Sequence, residues 1–259
     1  MQNEIKQNRN KILISLDLDN YSSSFIKPLV MLASQLNADL CGLLIEETEL
    51  QKIANLPFSR EITFPAALTR DLNKDLIARH LKQYTETYRK TLEELSQLAN
   101  ISCSFRTSKG PRIESVLSES CEFELAILLP EKHSSLKARQ SEHLEELINP
   151  AVVFYNTSLQ SQKAAQIIRS LADNSVLHQL KIITQNDIPI ESIRNQFSLD
   201  KVNVEYQHIQ SYDVSSIISL SGTQKPGLLI LPLNDTPNMQ IHEIRNILET
   251  LDCPLLMVR

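Results

Sequence analysis

The chain has 259 residues, 42% of them hydrophobic and 22% charged, which is the composition of a globular protein and not of a disordered one. Its formal net charge of -5 gives no electrostatic reason to expect nucleic acid as a partner. The polar start of the chain lacks the apolar core of a signal peptide, and no apolar run approaches the roughly 20 residues that cross a bilayer. We therefore expect a cytoplasmic protein with no membrane partner.

Short apolar runs alternate with amphipathic segments along the chain, a pattern typical of an open parallel sheet covered by helices. In the first half the predicted strands are 11–17, 40–45, 101–107 and 125–130, and the predicted helices are 25–36, 69–100 and 112–121. In the second half the predicted strands are 151–155, 180–184, 202–208, 228–231 and 255–258, and the predicted helices are 158–171, 189–197, 213–220 and 241–251.

The two halves repeat each other. The strand LAILLP at 125–130 matches GLLILP at 227–232, and corresponding strands elsewhere align when the first half carries an insertion of about 37 residues. This predicts a domain at 1–149, with a helical insertion at about 47–100, and a second domain at 150–259. Strand 151–155 aligns with two different strands of the repeat. We predict that it is the central first strand of the second half, which leaves the first sheet without a fifth strand.

Candidate ligand residues follow the predicted strands, because open parallel sheets bind ligands outside the carboxyl ends of their strands. They are Asp17, Glu46, Lys109, Gly110 and Pro111. An aspartate at the end of the first strand can accept hydrogen bonds from an adenine or a ribose. It can equally cap the turn that follows, and the sequence leaves both interpretations open.

A phosphate loop is not recognisable in either half. Such a loop needs backbone N–H groups that are approached through glycines, but the chain has four glycines and neither loop after a fourth strand contains one. Lys132 and His133, in the first of these loops, could hold an anion through their side chains, or they could belong to a solvated polar loop.

Other kinds of site have little support in the sequence. The four cysteines and six histidines show no metal-ligand spacing, and no serine or cysteine lies in a recognisable nucleophile motif. We therefore predict no catalytic residue and no metal.

The insertion of the first half carries apolar residues beside prolines. Leu56, Phe58 and Phe64 are the candidates for a partner-binding surface. The apolar stripe of the long helix at 69–100 can cover the sheet or can bind a partner, and covering the sheet is the usual role of such a stripe.

The order of these motifs resembles the universal stress protein family in its tandem form. The motifs are ILISLD ending at Asp17, KGPRIESVL at 109–117, ELAILL at 124–129 and CPLLMVR at 253–259, and NLPFSREI at 55–62 is similar to a segment of some bacterial tandem members. The resemblance covers nearly the whole chain. It implies an α/β fold of two tandem open parallel-sheet domains of the adenine nucleotide alpha hydrolase-like type, packed as an internal pseudo-dimer.

The resemblance also implies a role in stress response or regulation. The chain differs, however, from the members of the family that bind ATP. Members of the family that bind ATP carry a Gly-x2-Gly-x9-Gly-Ser/Thr loop after the fourth strand, and this chain lacks that loop in both halves. Asp17 matches the adenine-side aspartate of the family, but Asn156 stands at the equivalent position of the second half. We therefore expect a non-enzymatic protein that acts through protein partners, without a cofactor, and that could form a homodimer. The alternative is a protein that binds ATP or AMP, or hydrolyses ATP weakly, through an atypical loop.

Overall fold

The structure is a computed structural model in which residues 9–16, 23–46, 56, 60–63, 68–71, 74–130, 143–185, 188–197, 199, 201–210, 214–221, 226–233 and 240–259 are described. These residues form a nine-stranded sheet, a two-stranded hairpin and eight α-helices. The strands are β1 (Asn10–Leu16), β2 (Ala38–Glu46), β3 (Arg60–Thr63), β4 (Leu68–Asp71), β5 (Cys103–Lys109), β6 (Leu125–Leu128), β7 (Ala151–Tyr155), β8 (Gln179–Gln185), β9 (Asn203–Ile209), β10 (Leu228–Pro232) and β11 (Leu255–Val258). The helices are α1 (Ser23–Gln35), α2 (Lys74–Leu98), α3 (Arg112–Glu119), α4 (Leu144–Ile148), α5 (Leu159–Asp173), α6 (Ile190–Phe197), α7 (Val214–Ser221) and α8 (Ile241–Leu251).

The large sheet has the strand order β5-β2-β1-β6-β11-β10-β7-β8-β9. Four strands of the first half are mirrored by four of the second half around β11. Neighbouring strands are parallel except β6 and β11, which are antiparallel. The predicted α/β class and pseudo-dimeric arrangement are confirmed, but the two halves share one sheet where two separate sheets were expected. The division at residue 149 therefore stays a prediction.

Strand β7 lies inside the sheet, between β10 and β8. All five of its residues are buried, as in a strand that is covered on both faces. The prediction that this strand is a central one is confirmed. The first half has no fifth strand of its own among the described residues, and β11 takes that position beside β6.

Strand β11 joins the two halves through main-chain hydrogen bonds on both sides. Leu256 pairs with Ile230 of β10 and with Ile127 of β6. Beyond the strand, the backbone N–H of Arg259 donates to the carbonyl of Glu124 at 2.9 Å. All four residues of the strand are buried, and fully burying one such side chain contributes about 1.5–3 kcal/mol.

Helices cover both faces of the sheet. One apolar cluster contains residues of α1, α2, α4, α5 and α6, and the other contains residues of α3, α7 and α8. This two-faced burial explains why the central strands are continuous apolar runs. Among the described residues, no helix is both long and apolar enough to cross a membrane.

The insertion differs from the prediction at its start. Residues 68–71 form β4, which pairs antiparallel with β3, so the helix begins at Lys74 and not at residue 69. The end of α2 nearer its C-terminus packs on the sheet, because Tyr88 and Leu92 are fully buried. Gly42 of β2 permits this approach, since a Cβ there would lie 2.5 Å from the Leu92 side chain. Core packing, the first of the two interpretations of the apolar stripe, is observed for this part of the helix.

The shared strand predicts that both halves unfold together. We expect Leu256→Ala to lower the free energy of unfolding by about 2–5 kcal/mol, because it leaves a cavity between the halves. Urea unfolding would be followed by circular dichroism and by pulsed labelling of two buried thiols, Cys41 in β2 and Cys253 before β11. Both thiols should become reactive at the same urea concentration, and that concentration should be lower in the variant.

The matched control is Ile241→Ala, since this side chain is exposed at the start of α8. It should change the free energy of unfolding by less than about 1 kcal/mol. Labelling of Cys253 at a clearly lower urea concentration than Cys41 would show two independent units and would contradict the prediction.

Candidate functional site

Four of the sequence-predicted ligand residues come together at the carboxyl edge of the first half. Glu46 ends β2 and Lys109 ends β5, and the two are partners in the strand register. The Lys109 ammonium lies 3.6 Å from a carboxylate oxygen of Glu46. The lysine side chain is 67% exposed and the glutamate side chain is 20% exposed. Solvent screens such a pair, so it contributes little to stability.

Gly110 and Pro111 form the turn that leads from β5 into α3. The Gly110 N–H donates to the carbonyl of Glu46 at 3.3 Å, and Gly110 has a φ of +137°, which a side chain would disfavour. Pro111 is the N-cap residue of α3 and has an extended backbone, with no side-chain capping bond. The remaining predicted ligand residues, Asp17, Lys132 and His133, lie outside the described residues.

Arg112, the first residue of α3, is a functional candidate that the sequence reasoning missed. It is only 5% exposed, and its guanidinium donates to the carbonyl of Leu129, the residue directly after β6. Arginine stays charged in proteins, and a positive charge at a helix N-terminus is disfavoured by the helix dipole. The sequence does contain a signal for this residue: a positively charged side chain stands at the start of a predicted helix, directly after Gly-Pro.

At the equivalent edge of the second half, the polar groups bond one another. The Asn156 side-chain oxygen accepts hydrogen bonds from the Ser158 N–H and the Ser161 hydroxyl, both at 2.8 Å. The Ser158 hydroxyl in turn accepts from the Ser161 N–H at 3.1 Å and caps α5. Of the two interpretations offered for Asp17, capping of the following turn is the one that its counterpart Asn156 adopts.

A cleft of about 240 Å³ lies at the opposite, amino edge of the first half. The Arg106 guanidinium lies there, at 3.2 Å from Glu119 and 2.9 Å from Glu122, and 5.5 Å from the centre of the Phe123 ring. These contacts raise the pKa of Arg106, chiefly through the hydrogen bond to Glu122. The cleft is lined by Lys11, Asp39, Leu40, Cys41, Ser102, Cys103, Ser104, Arg106, Glu122 and Phe123.

The chemistry of this cleft does not favour a nucleophile. Burial raises the pKa of the Cys41 and Cys103 thiols, so both are protonated near neutral pH. Cys41 faces the cluster that contains α3, whereas Cys103 packs against the other cluster, so the two thiols lie on opposite faces of the sheet. No group of histidine, cysteine, aspartate or glutamate side chains among the described residues could hold a metal ion.

The insertion exposes apolar side chains. Leu56 is 61% exposed, and Ile62 on β3 is 73% exposed. Phe58 and Phe64, the other two predicted partner-binding residues, lie outside the described residues. Exposed apolar side chains of the insertion therefore lie both before α2 and on α2 itself, where Tyr84 is 45% and Leu98 is 85% exposed.

The fold is that of a universal stress protein from Archaeoglobus fulgidus DSM 4304. The crystal structure of that protein matches this chain with a TM-score of 0.55 and 11% identity, over 96% of this chain and 96% of the other. At this level of identity the similarity shows the fold. No family model matches the sequence, and no curated protein is significantly similar to it.

The Asn156 network predicts a structural role for this residue. Asn156→Ala removes the acceptor of two hydrogen bonds at the start of α5 and should lower the free energy of unfolding by about 1–2 kcal/mol. The measurement is urea unfolding, with Asn203→Ala as a control because that residue is exposed at the start of edge strand β9. An Asn156→Ala variant as stable as the wild type would contradict the capping role.

Proposed function

We propose that this chain is a non-enzymatic regulatory protein of universal stress type, which acts through protein partners and does not bind ATP through the usual loop. The observation that carries the proposal is that several polar side chains at the two carboxyl edges bond to the protein itself. In the first half these bonds join Lys109 to Glu46 and Arg112 to Leu129. In the second half they join Asn156 to Ser158 and Ser161.

The glycines support the same proposal. Gly42 serves the packing of α2, Gly110 forms a turn, and a Cβ on Gly227 would lie 2.7 Å from the backbone of Ile148. Gly42 and Gly227 therefore have packing roles, and Gly110 has a backbone role in the turn before α3. We also propose that the protein acts in the cytoplasm and that it can form a homodimer.

The alternative, binding of ATP or AMP through an atypical loop, is favoured by one observation. The Lys109 side chain is largely exposed at the edge where ligands bind in this fold, and its ion pair with Glu46 is weak. A phosphate could compete with the Glu46 carboxylate for this ammonium at little cost. A protein of this kind could also hydrolyse ATP weakly.

Thermal unfolding with ATP, AMP and cyclic dinucleotides separates the two functions. A ligand at 100 times its Kd stabilises a protein by about 2.7 kcal/mol, which corresponds to a shift of several degrees in Tm for a chain of this size. We expect a shift in Tm of less than about 1 °C at millimolar concentration, because Lys109, Arg112 and Asn156 are already bonded within the protein.

A clear shift would overturn the proposal in favour of the alternative. The alternative then requires that Lys109→Ala removes the shift. Lys90→Ala, which changes an exposed lysine on α2, should leave it in place. Loss of the shift in both variants would point to general charge effects.

The proposed partner surface is tested with point variants. Deletion of residues 47–100 would remove Tyr88 and Leu92 from the core and would unfold the first half. Leu56→Ser and Ile62→Ser change exposed side chains, so they should keep the Tm within about 2 °C. They should reduce the recovery of specific partners from a cell extract by tenfold or more, as measured by quantitative mass spectrometry.

Leu98→Ser is the matched control, because Leu98 is 85% exposed at the far end of the same insertion. It should recover the same partners as the wild type. If the Leu56 and Ile62 variants also recover an unchanged set, the insertion surface is not the partner site.

A further inference from the structure

We propose that the cleft at the amino edge of the first half binds a small α-amino acid, whose carboxylate pairs with Lys11 and whose ammonium pairs with Asp39. The cleft has a volume of about 240 Å³, and every residue that lines it belongs to the described part of the chain. It lies at the edge opposite to the one where ligands usually bind in open parallel sheets. Binding in this cleft is therefore independent of the proposed lack of ATP binding.

Two of the residues that line the cleft carry opposite charges on neighbouring strands. Lys11 of β1 and Asp39 of β2 are partners in the strand register, with main chains about 4.8 Å apart. Leu13 and Cys41, two residues further along each strand, belong to the cluster that contains α3, so Lys11 and Asp39 stand on that same face. No ion pair joins their side chains, although both residues are described. A ligand that carries both charges can bridge them.

The Asp39 carboxylate lacks a good donor within the protein. Its Oδ1 atom is shielded from solvent and has no hydrogen-bond partner among the described residues. The Arg9 guanidinium, its ion-pair partner, lies 3.8 Å away, which is too long for a hydrogen bond. The side chain as a whole is 37% exposed, so its accessible surface falls on the remaining atoms. An ammonium group at that exposed side supplies the charge-assisted donors that Arg9 does not.

The main chain of Lys11 is held in place, while its side chain is available to a ligand. The Lys11 N–H donates to the Glu124 carboxylate at 2.8 Å, and the residue is part of the pairing between β1 and β2. Lys11 is exposed, and none of the ion pairs among the described residues includes its ammonium. A carboxylate is the ligand group that matches such an ammonium.

The rest of the lining favours a small uncharged side chain on the ligand. The Cys41 side chain is 2% exposed, and burial raises the pKa of its thiol, so it forms a neutral part of the lining. The other charges satisfy one another, because Arg106 lies 2.9 Å from Glu122 and over the Phe123 ring. A water molecule occupies about 30 Å³ in the liquid, so the cleft has room for about eight waters, or for a ligand of about eight to ten non-hydrogen atoms. Valine, leucine and methionine are of this size.

The second half has longer side chains at the corresponding place. Lys181 of β8 and Glu205 of β9 stand at the positions of Cys41 and Ser104, because β8 and β9 correspond to β2 and β5 in the repeat. Their side chains form an ion pair of 3.4 Å, and the Lys181 side chain is only 14% exposed. Two long charged side chains thus replace a thiol and a hydroxyl. The cleft of the first half owes its space to these two short side chains.

Thermal unfolding of the full chain tests the site with L-valine, L-leucine and L-methionine, each at about 10 mM. At least one of them should raise the Tm by about 2 °C or more, since a ligand well above its Kd stabilises the folded state. The amide of that amino acid lacks the carboxylate, and its deaminated acid lacks the ammonium, so each should give less than about half of the shift. No shift with any of the three amino acids, or an analogue that matches its parent, would overturn the proposal.

Two neutral substitutions test the pairing of charges. Lys11→Gln and Asp39→Asn should each weaken binding of the amino acid by about tenfold or more, as measured by NMR titration of the backbone amides. Both change side chains at the surface and should keep the fold. The matched controls are Lys90→Gln and Asp173→Asn, which change exposed residues on α2 and α5 and should bind as the wild type does. Unchanged affinity in either cleft variant would overturn the proposal.

The same titration of the wild type maps the site. The largest signal changes should come from the amides of residues 39–41 and 102–104, all of which line the cleft. Largest changes at the carboxyl edge of the sheet would place the ligand elsewhere and would also overturn the proposal. A Tm shift with ATP would overturn the proposed function and leave this site in place, whereas failure of the amino acids would overturn only this site.

Discussion

The structure depends on the pairing of β11 with two strands, β10 and β6, which run in opposite directions to each other. This strand runs parallel to β10 of its own half and antiparallel to β6 of the other half. Without it, two apolar strands at the centre of the molecule would have exposed edges with unpaired backbone groups, which is unfavourable for folding and solubility. One strand thus provides what two fifth strands would provide in a pair of complete domains.

The antiparallel junction also determines where the candidate sites lie. Because the strands of the two halves run in opposite directions, their carboxyl ends lie at opposite edges of the common sheet. A ligand in one half therefore could not contact a ligand in the other across a shared crevice. The described polar groups at the two edges differ: a buried guanidinium and an ion pair lie in the first half, and an asparagine–serine network lies in the second. The two halves have mirrored strand orders, while the chemistry of their edges differs.

Much of this fold could be predicted from the sequence, because hydrophobic periodicity reports directly on burial. The run from Ala151 to Tyr155 is apolar at every position, and the structure buries every position. The start of the long helix could not be predicted in this way. Residues 68–71 have apolar and polar positions that suit either a helix or a strand, and their pairing with residues 60–63 decides between the two. Local pattern does not report such pairing between segments.

For the candidate site, the sequence by itself determined the absence of a glycine-rich loop and placed Glu46, Lys109, Gly110 and Pro111 at the ends of strands. These conclusions need only residue identity and the alternation of elements along the chain. Only the tertiary structure decided that Arg112 is buried against the end of β6. Only the tertiary structure, too, showed that β11 serves both halves. The physical reason is the same in each case: a long or polar side chain, or a strand edge, takes its partner from a distant segment, and that partner becomes known only when the whole sheet is assembled.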